Sequence, residues 1–359
     1  MQRAIPVMQL RGGSSKGLYF LAADLPKDNA ERDKILLAAM CGVDGTDPRQ
    51  IDGLGGADPL TSKVAIISPS KRDGVDIDYE FVQVVLASGK TDRTQNCGNI
   101  LAGVVPFAIE SGIITTTSPE TSARVYMVNS DAICEVIIQT PSAKVRYDGN
   151  THIDGVPGGA APITCYYMDI SGSACGKLFP TGKRLNVIDG VDVTCIDNGM
   201  PVVLLRASDL GRTGYESRDA LNADLELKST LEDIRLQLGP MMNLGEVKGK
   251  VVPKMCLISA PLDKGIVHTR TFIPHVCHAA IGVLGAVSVA TACIIPGTVT
   301  EGIALLPDSG SYYSIEHPSG EFTVSLELGV DNAEPEVLKA GVIRTARLLS
   351  RGEVMIPSP

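Results

Sequence analysis

Ser62-Lys63-Val64-Ala65-Ile66-Ile67-Ser68-Pro69 and Pro253-Lys254-Met255-Cys256-Leu257-Ile258-Ser259-Ala260 are two versions of one phrase: a lysine, then an apolar run that ends in serine. A short apolar run bounded by turn residues reads as a buried strand. Its return 191 residues later prompts a search for further repeats. Upstream, Gly17-Leu18-Tyr19-Phe20-Leu21 closing in Asp24-Leu25 answers Pro201-Val202-Val203-Leu204-Leu205 closing in Asp209-Leu210, at an offset of 185. Each is followed by a helix-like stretch: residues 29–40 with Ile35, Leu36 and Ala39, and residues 218–238 with Leu221, Leu225, Leu231, Ile234 and Leu238. Downstream comes a Gly- and Ala-rich apolar helix opened by a cysteine, at residues 97–111 and again at 277–293, an offset of 180.

Four matches in one order point to a duplicated domain. The halves meet near residues 175–190, between the loop signals Ser171-Gly172-Ser173 and Pro180-Thr181-Gly182. The expected boundaries are 1–182 and 183–345, with 346–359 a tail packing back on the N-terminal half. Short strands are expected at 81–86, 124–128, 133–139, 164–168 and 322–326. The two apolar helices lack a polar face and must be enclosed, so each half reads as strands wrapped around a central helix. The alternative is one α/β domain with accidental similarity.

Composition narrows the functions available. The 359 residues are 44% hydrophobic and 20% charged, enough for a large core. A net charge of −9 with no Lys/Arg-rich run argues against a nucleic-acid binder. The most apolar stretch, 279–295, is shorter than the ~20 residues of a membrane span and reads as a core helix, and the N-terminus carries no apolar signal segment. Nine cysteines without a CxxC pair fit neither a disulfide scaffold nor a structural zinc site. Reduced, mostly buried thiols in a cytoplasmic protein are the expectation.

Several stretches carry chemistry-bearing residues. Thr94-Gln95-Asn96-Cys97-Gly98-Asn99 opens the first apolar helix, with Thr94 or Asn96 as its cap. A helix N-terminus offers free N–H groups to an anion, Gly98 permits close approach, and Cys97 sits where the helix field lowers a thiol's pKa; a small buried residue is the plain alternative. Arg11-Gly12-Gly13-Ser14-Ser15-Lys16-Gly17 suits either an anion nest or a hairpin loop. The loop from Asp52 to Lys63 is neither a phosphate-binding P-loop nor a dinucleotide fingerprint. It ends at Lys63, where partial desolvation would pull the ammonium below its reference value of ~10.4 and make a base. A lysine snorkelling at a strand end and a Schiff-base anchor for pyridoxal phosphate are the alternatives. His275-Val276-Cys277-His278 gathers soft ligands with no cluster to complete a metal site; with Arg270 it fits anion binding better. Lys254 mirrors Lys63 without the glycine loop, and His152, His268 and His317 carry no readable signal. The elbow of serine hydrolases, HExxH and the kinase signatures are absent. A lysine, a cysteine and several anion-binding elements suit proton abstraction beside a carbonyl of a small polycarboxylate.

Taken together, the 11–17 string, Gly55-Gly56-Ala57-Asp58-Pro59-Leu60-Thr61-Ser62-Lys63, Asn96-Cys97-Gly98-Asn99, Ile153-Asp154-Gly155-Val156-Pro157-Gly158 and Pro274-His275-Val276-Cys277-His278 resemble the PrpF family over nearly the whole chain. The resemblance implies an α+β, duplicated diaminopimelate-epimerase-like fold, each half a curved, mostly antiparallel sheet around a central helix. It further implies a cofactor-independent isomerase with its active site between the domains. Lys63 and Cys97 match the catalytic pair. Arg11, Ser14, Ser15, Ser62, Asn96, Gly98, Asn99, Arg270, His275, Cys277 and His278 are the expected substrate-binding residues, with no metal. Residues 189–201 and 287–293 favour keto–enol tautomerisation of 4-oxalomesaconate, a tricarboxylate of gallate breakdown. Allylic 1,3-isomerisation of 2-methylaconitate or oxalomesaconate is the alternative, and a silent polycarboxylate-binding protein the alternative of another class. A homodimer is the family expectation. Ser14 stands where threonine is more frequent, and residues 42–46 look like a surface insertion.

Overall fold

The computed structural model describes every residue except 43–44, 95, 330–335 and 358–359. The core of the 42–46 insertion, Val43-Asp44, therefore lies outside the described residues. The chain forms two compact units, one comprising Met1–Met168 with Ile343–Pro359, the other Asp169–Val342. Residues 169–182 thus group with the second unit.

The first unit contains β1 (Gln2–Gly12), β2 (Ser15–Leu21), α1 (Asn29–Cys41), β3 (Lys63–Pro69), β4 (Ile77–Val85), β5 (Lys90–Asp92), α2 (Gly98–Leu101), α3 (Val104–Glu110), β6 (Glu120–Met127), β7 (Ala132–Gln139) and β8 (Ile163–Tyr167). In the second lie β9 (Asn186–Ile188), β10 (Val191–Asp197), β11 (Pro201–Arg206), α4 (Arg218–Ala223), α5 (Leu225–Met241), β12 (Lys254–Ser259), β13 (Val267–Phe272), α6 (Val283–Ile294), β14 (Tyr312–His317) and β15 (Gly320–Leu328). β16 (Val337–Arg344) runs out of it, and β17 (Ala346–Pro357) returns to pair antiparallel with β1 along its whole length.

The duplication holds strand by strand. The antiparallel hairpin β1–β2 corresponds to β10–β11. A helical crossover (α1, or α4 with α5) then makes the next pair parallel, β2–β3 and β11–β12. Antiparallel β3–β4 and β12–β13 follow. After the central helix come parallel β4–β6 and β13–β14, then antiparallel β6–β7 and β14–β15. Each unit is therefore a mostly antiparallel α+β layer with helical segments on both faces. In the first, α1 packs Ile35, Leu36, Ala39 and Met40 against Val64, Ile66, Val82 and Val84. In the second, α5 packs Leu227, Leu231, Ile234 and Leu238 against Val203, Leu205, Met255 and Leu257. The opposite faces hold the central helices, buried continuously over 100–108 and 285–293 as helices without a polar side must be.

The helices depart from the sequence pattern in three places, and the strand expected at 81–86 runs from Ile77 to Val85. The helix expected at 97–111 is two pieces, joined through Ala102-Gly103, where a Cβ on Gly103 would stand 2.3 Å from the Tyr19 hydroxyl. The helix expected at 218–238 breaks at Asp224, whose carboxylate caps α5 at the Leu227 N–H. The third concerns the helix expected at Cys277, described below. No helix among the described residues is long and apolar enough to cross a membrane.

Candidate active site

Lys63 is the first residue of β3, delivered by a tight loop. Asp58 accepts the Leu60 N–H (2.7 Å) and starts a single 3-10 turn over 59–61. Behind that loop Gln50 is a buried hub: its Oε1 accepts the Ala57 N–H at 2.7 Å and the Ser62 hydroxyl at 2.9 Å. Ser62, expected to bind substrate, is fully buried and its hydroxyl donates to Gln50, on the side away from Lys63. Neighbouring side chains point to opposite sides as a strand begins.

The Lys63 side chain shares a face with alternate residues of β4. Lys63 is opposite Gln83 in the antiparallel register, and its Nζ donates to Gln83 Oε1 at 2.6 Å. The ammonium lies 5.2 Å from the centre of the Phe81 ring. One step further along the same face, the Tyr79 hydroxyl donates to the Cys97 carbonyl at 3.3 Å. The period of two in β4 thus gathers the supports of both expected catalytic residues onto one strip. Burial pushes the Tyr79 and Tyr19 hydroxyls well above their ordinary range, Cys97 adding to the shift in both, so both phenols act as hydrogen-bond donors.

Cys97 is the N-cap residue of α2, and its carbonyl accepts the Leu101 N–H. All nine cysteines are free, and Cys97 is the one that is not buried. Neither expected cap is used, because Thr94 is turned onto Asp92 and Asn96 donates to the Ser130 hydroxyl, leaving Asn96 Oδ1 buried without a partner among the described residues. Asn99 reaches back instead: its Nδ2 donates to Ser14 Oγ (3.1 Å) and Ser15 Oγ (3.4 Å). That approach depends on Gly13, whose φ is +52° and whose missing Cβ would fall 2.1 Å from Asn99 Oδ1. Ser14, Ser15, Gly98 and Asn99 are therefore one cluster. Arg11 serves the hairpin, Nη1 donating to the carbonyls of Gly13 and Thr345 and to the Thr345 hydroxyl.

In the second unit, α6 starts after Gly282, so Cys277 and His278 do not open a helix as expected. They still belong to sheet geometry. Cys277 bridges Phe272, its N–H is taken by Asn222 Oδ1 (2.8 Å), and the His278 N–H goes to Thr271 O. Cys277 is buried, and burial raises its thiol while Arg270 and Arg218 oppose the rise. His278 Nδ1 accepts the Ala280 N–H two residues on, and His275 stands half-exposed, 3.8 Å from Glu232.

Arg270 belongs to a buried chain that the sequence did not reveal. Its Nη1 donates to His268 Nε2, and the opposite ring nitrogen of His268 lies 3.0 Å from Glu316 Oε2. Because arginine only donates, Nε2 must accept and His268 is neutral with its proton on Nδ1. Glu316 also takes the N–H groups of Leu262, Asp263 and Gly265. The Nη2 of Arg270 meets no partner among the described residues, and no carboxylate comes within salt-bridge distance of this buried cation, which suits an incoming anion.

Burial holds His268 below its ordinary value, and Arg270 adds to that against the pull of Glu316. Burial alone would raise Glu316, but its backbone donors and His268 outweigh it and hold it low. Both contributions have one sign. That of His268 is present above about pH 6.5 and is lost as the pH falls below it, because the unfolded chain binds the proton more readily. That of Glu316 fades lower still, through its depressed folded value. Thermal unfolding midpoints recorded from pH 7 to pH 5 are expected to fall, and to fall less in His268→Asn; a flat wild-type series would contradict the neutral histidine.

Among known proteins, the profile of the family described as PrpF protein matches residues 2–357. The chain is 54% identical over 357 residues to a 4-oxalomesaconate tautomerase of Pseudomonas putida, covering 99% of this chain and 97% of that protein. It is 52% identical to a (4E)-oxalomesaconate Delta-isomerase of a Novosphingobium strain, covering 98% and 97%. The crystal structure of a methylitaconate-delta-isomerase superposes with a TM-score of 0.88 at 32% identity, covering 99% and 96%. A profile matched from end to end, joined to this duplicated α+β fold, makes the chain a member of the PrpF family.

Proposed function

We propose that the chain is an isomerase that interconverts the keto and enol forms of 4-oxalomesaconate. Lys63, in its amine form, takes a proton from the methylene carbon beside the keto group. The electron pair moves onto the keto oxygen as a dienolate, and protonation of that oxygen gives the enol. The Ser14, Ser15 and Asn99 cluster of the same unit meets a carboxylate of the substrate. Cys97 either hands a proton to carbon or positions the substrate. The observation that carries this reading is the shared strip of β4, which supports Lys63 through Gln83 and Phe81 and the Cys97 turn through Tyr79.

A second reading, allylic 1,3-proton transfer, is favoured by the relative named a Delta-isomerase, which is nearly as similar as the one named a tautomerase. Both routes share the dienolate and differ in where the proton returns. Turnover of 4-oxalomesaconate in heavy water, followed by proton NMR, separates them. Deuterium confined to the methylene beside the keto group is expected; deuterium at the far end of a shifted double bond would establish the allylic route. No exchange, despite tight binding of the tricarboxylate, would leave a binding protein.

A further inference from the structure

We propose that Gln83 is a positioning residue for the proton-transfer step: a neutral amide, locked in one orientation, that holds the Lys63 amine in place without giving it a counter-charge. The proposal rests on the reading of Lys63 as the base.

The orientation follows from what surrounds the amide. Gln83 Nε2 lies 3.1 Å from Pro59 O, 3.0 Å from Ser62 O and 3.1 Å from Val84 O. Carbonyls only accept, so the end that meets three of them must be the NH₂ group, one of its protons being shared. A flipped amide would set oxygen against three oxygens. The amide oxygen is therefore aimed at Lys63 Nζ, and its partners are backbone atoms of the loop and strands that deliver Lys63. Position and acceptor are fixed together.

The chemistry of the acceptor matters as much as its place. A lysine that takes up and releases a proton must be held in both charge states. A carboxylate would favour the ammonium strongly; an amide oxygen accepts from –NH₃⁺ and –NH₂ alike. The surroundings keep to that rule. No carboxylate approaches Lys63 Nζ within 4 Å among the described residues. On β2, the parallel register partner of Lys63 is Gly17, with Lys16 beside it, and on β5 Asp92 stands opposite Gln83 but is engaged by Thr94. On the same face, among the described residues, Tyr79 of β4 meets the Cys97 carbonyl and Lys90 of β5 stands opposite Val85.

The test compares Gln83→Met, Gln83→Glu and Lys63→Met by the ultraviolet change of keto–enol conversion across pH. Gln83→Met removes the acceptor at equal length; kcat should fall about 100-fold, the scale of a misplaced reacting group, with KM changed little. Gln83→Glu supplies the missing counter-charge, and the acidic limb of the pH–rate profile should move up by about one unit. The same shift should appear in the pH dependence of Lys63 acylation by acetic anhydride, read by mass spectrometry, which needs no turnover and survives a crippled variant. Wild-type kcat and an unmoved limb in both Gln83 variants, with Lys63→Met inactive, would overturn the role of Gln83 and leave Lys63 as the base. An active Lys63→Met would overturn both.

Discussion

Lys63→Met is expected to lower kcat by about 10³- to 10⁴-fold, the upper range for removal of a general acid or base. The substitution keeps the length and apolar stem of the side chain, so packing over Phe81 survives while the amine held by Gln83 is lost. KM should change less than kcat, because the cluster proposed to meet a carboxylate, Ser14, Ser15 and Asn99, does not involve Lys63. The assay is the ultraviolet change on ketonisation. Turnover within a few-fold of wild type would take Lys63 out of the mechanism. Lys63→Arg is a useful companion: it keeps a cation on Phe81 but cannot give up its proton near neutral pH, and it too should be nearly silent.

The second large effect falls on stability. Arg235 is fully buried in α5, and its Nη1 gathers the carbonyls of Val247, Lys250 and Val252 at 3.0 to 3.2 Å. Nε and Nη2 grip Glu232 in a two-point bond at 2.6 and 2.8 Å, which holds that carboxyl below its usual range. One guanidinium thus ties the loop that leads into β12 to the helix beneath it. Arg235→Met would take the guanidinium away from the Lys250 and Val252 carbonyls, for which no other donor is seen among the described residues, while Val247 O keeps the Lys250 N–H and Glu232 can still reach water. The loss should be about 3 to 5 kcal/mol, read as a lower urea midpoint. A change below about 1 kcal/mol would mean that the loop opens to solvent with no penalty.

The duplication was legible because it rests on pattern: lysine-led strands, Asp-Leu endings and helices without a polar side recur at near-constant spacing. Cysteine burial was legible from residue type and from the lack of paired spacings. What the sequence concealed depends on direction and on contacts between distant residues. Ser62 and Lys63 are neighbours in a motif yet face opposite ways, and only the start of the strand decides which one meets Gln50. Cys277 follows the pattern of a helix start, but its N–H is claimed by Asn222, 55 residues away, and the helix waits for Gly282. His268 and Glu316 had no motif; parallel pairing of β13 with β14 brings them together. A signal for Gln83 was nonetheless present, since Tyr79, Phe81 and Gln83 alternate on one strand and the partner strand begins with Lys63.

The duplication also supplies a comparison within a single molecule. The register of β12 with β13 pairs Cys256 with Thr271, as β3 and β4 pair Ala65 with Phe81. Thr269, Thr271 and, one step past the pairing, Ile273 therefore occupy the places of Tyr79, Phe81 and Gln83. Lys254, the twin of Lys63, has neither aromatic ring nor amide beside it, and among the described residues its side-chain amine makes no hydrogen bond. After an ancestral gene copied itself, one half kept or acquired a trio of supports and the other did without. Every chain thus carries its own control, a sister lysine stripped of its retinue, against which the contribution of those three residues to reactivity can be weighed.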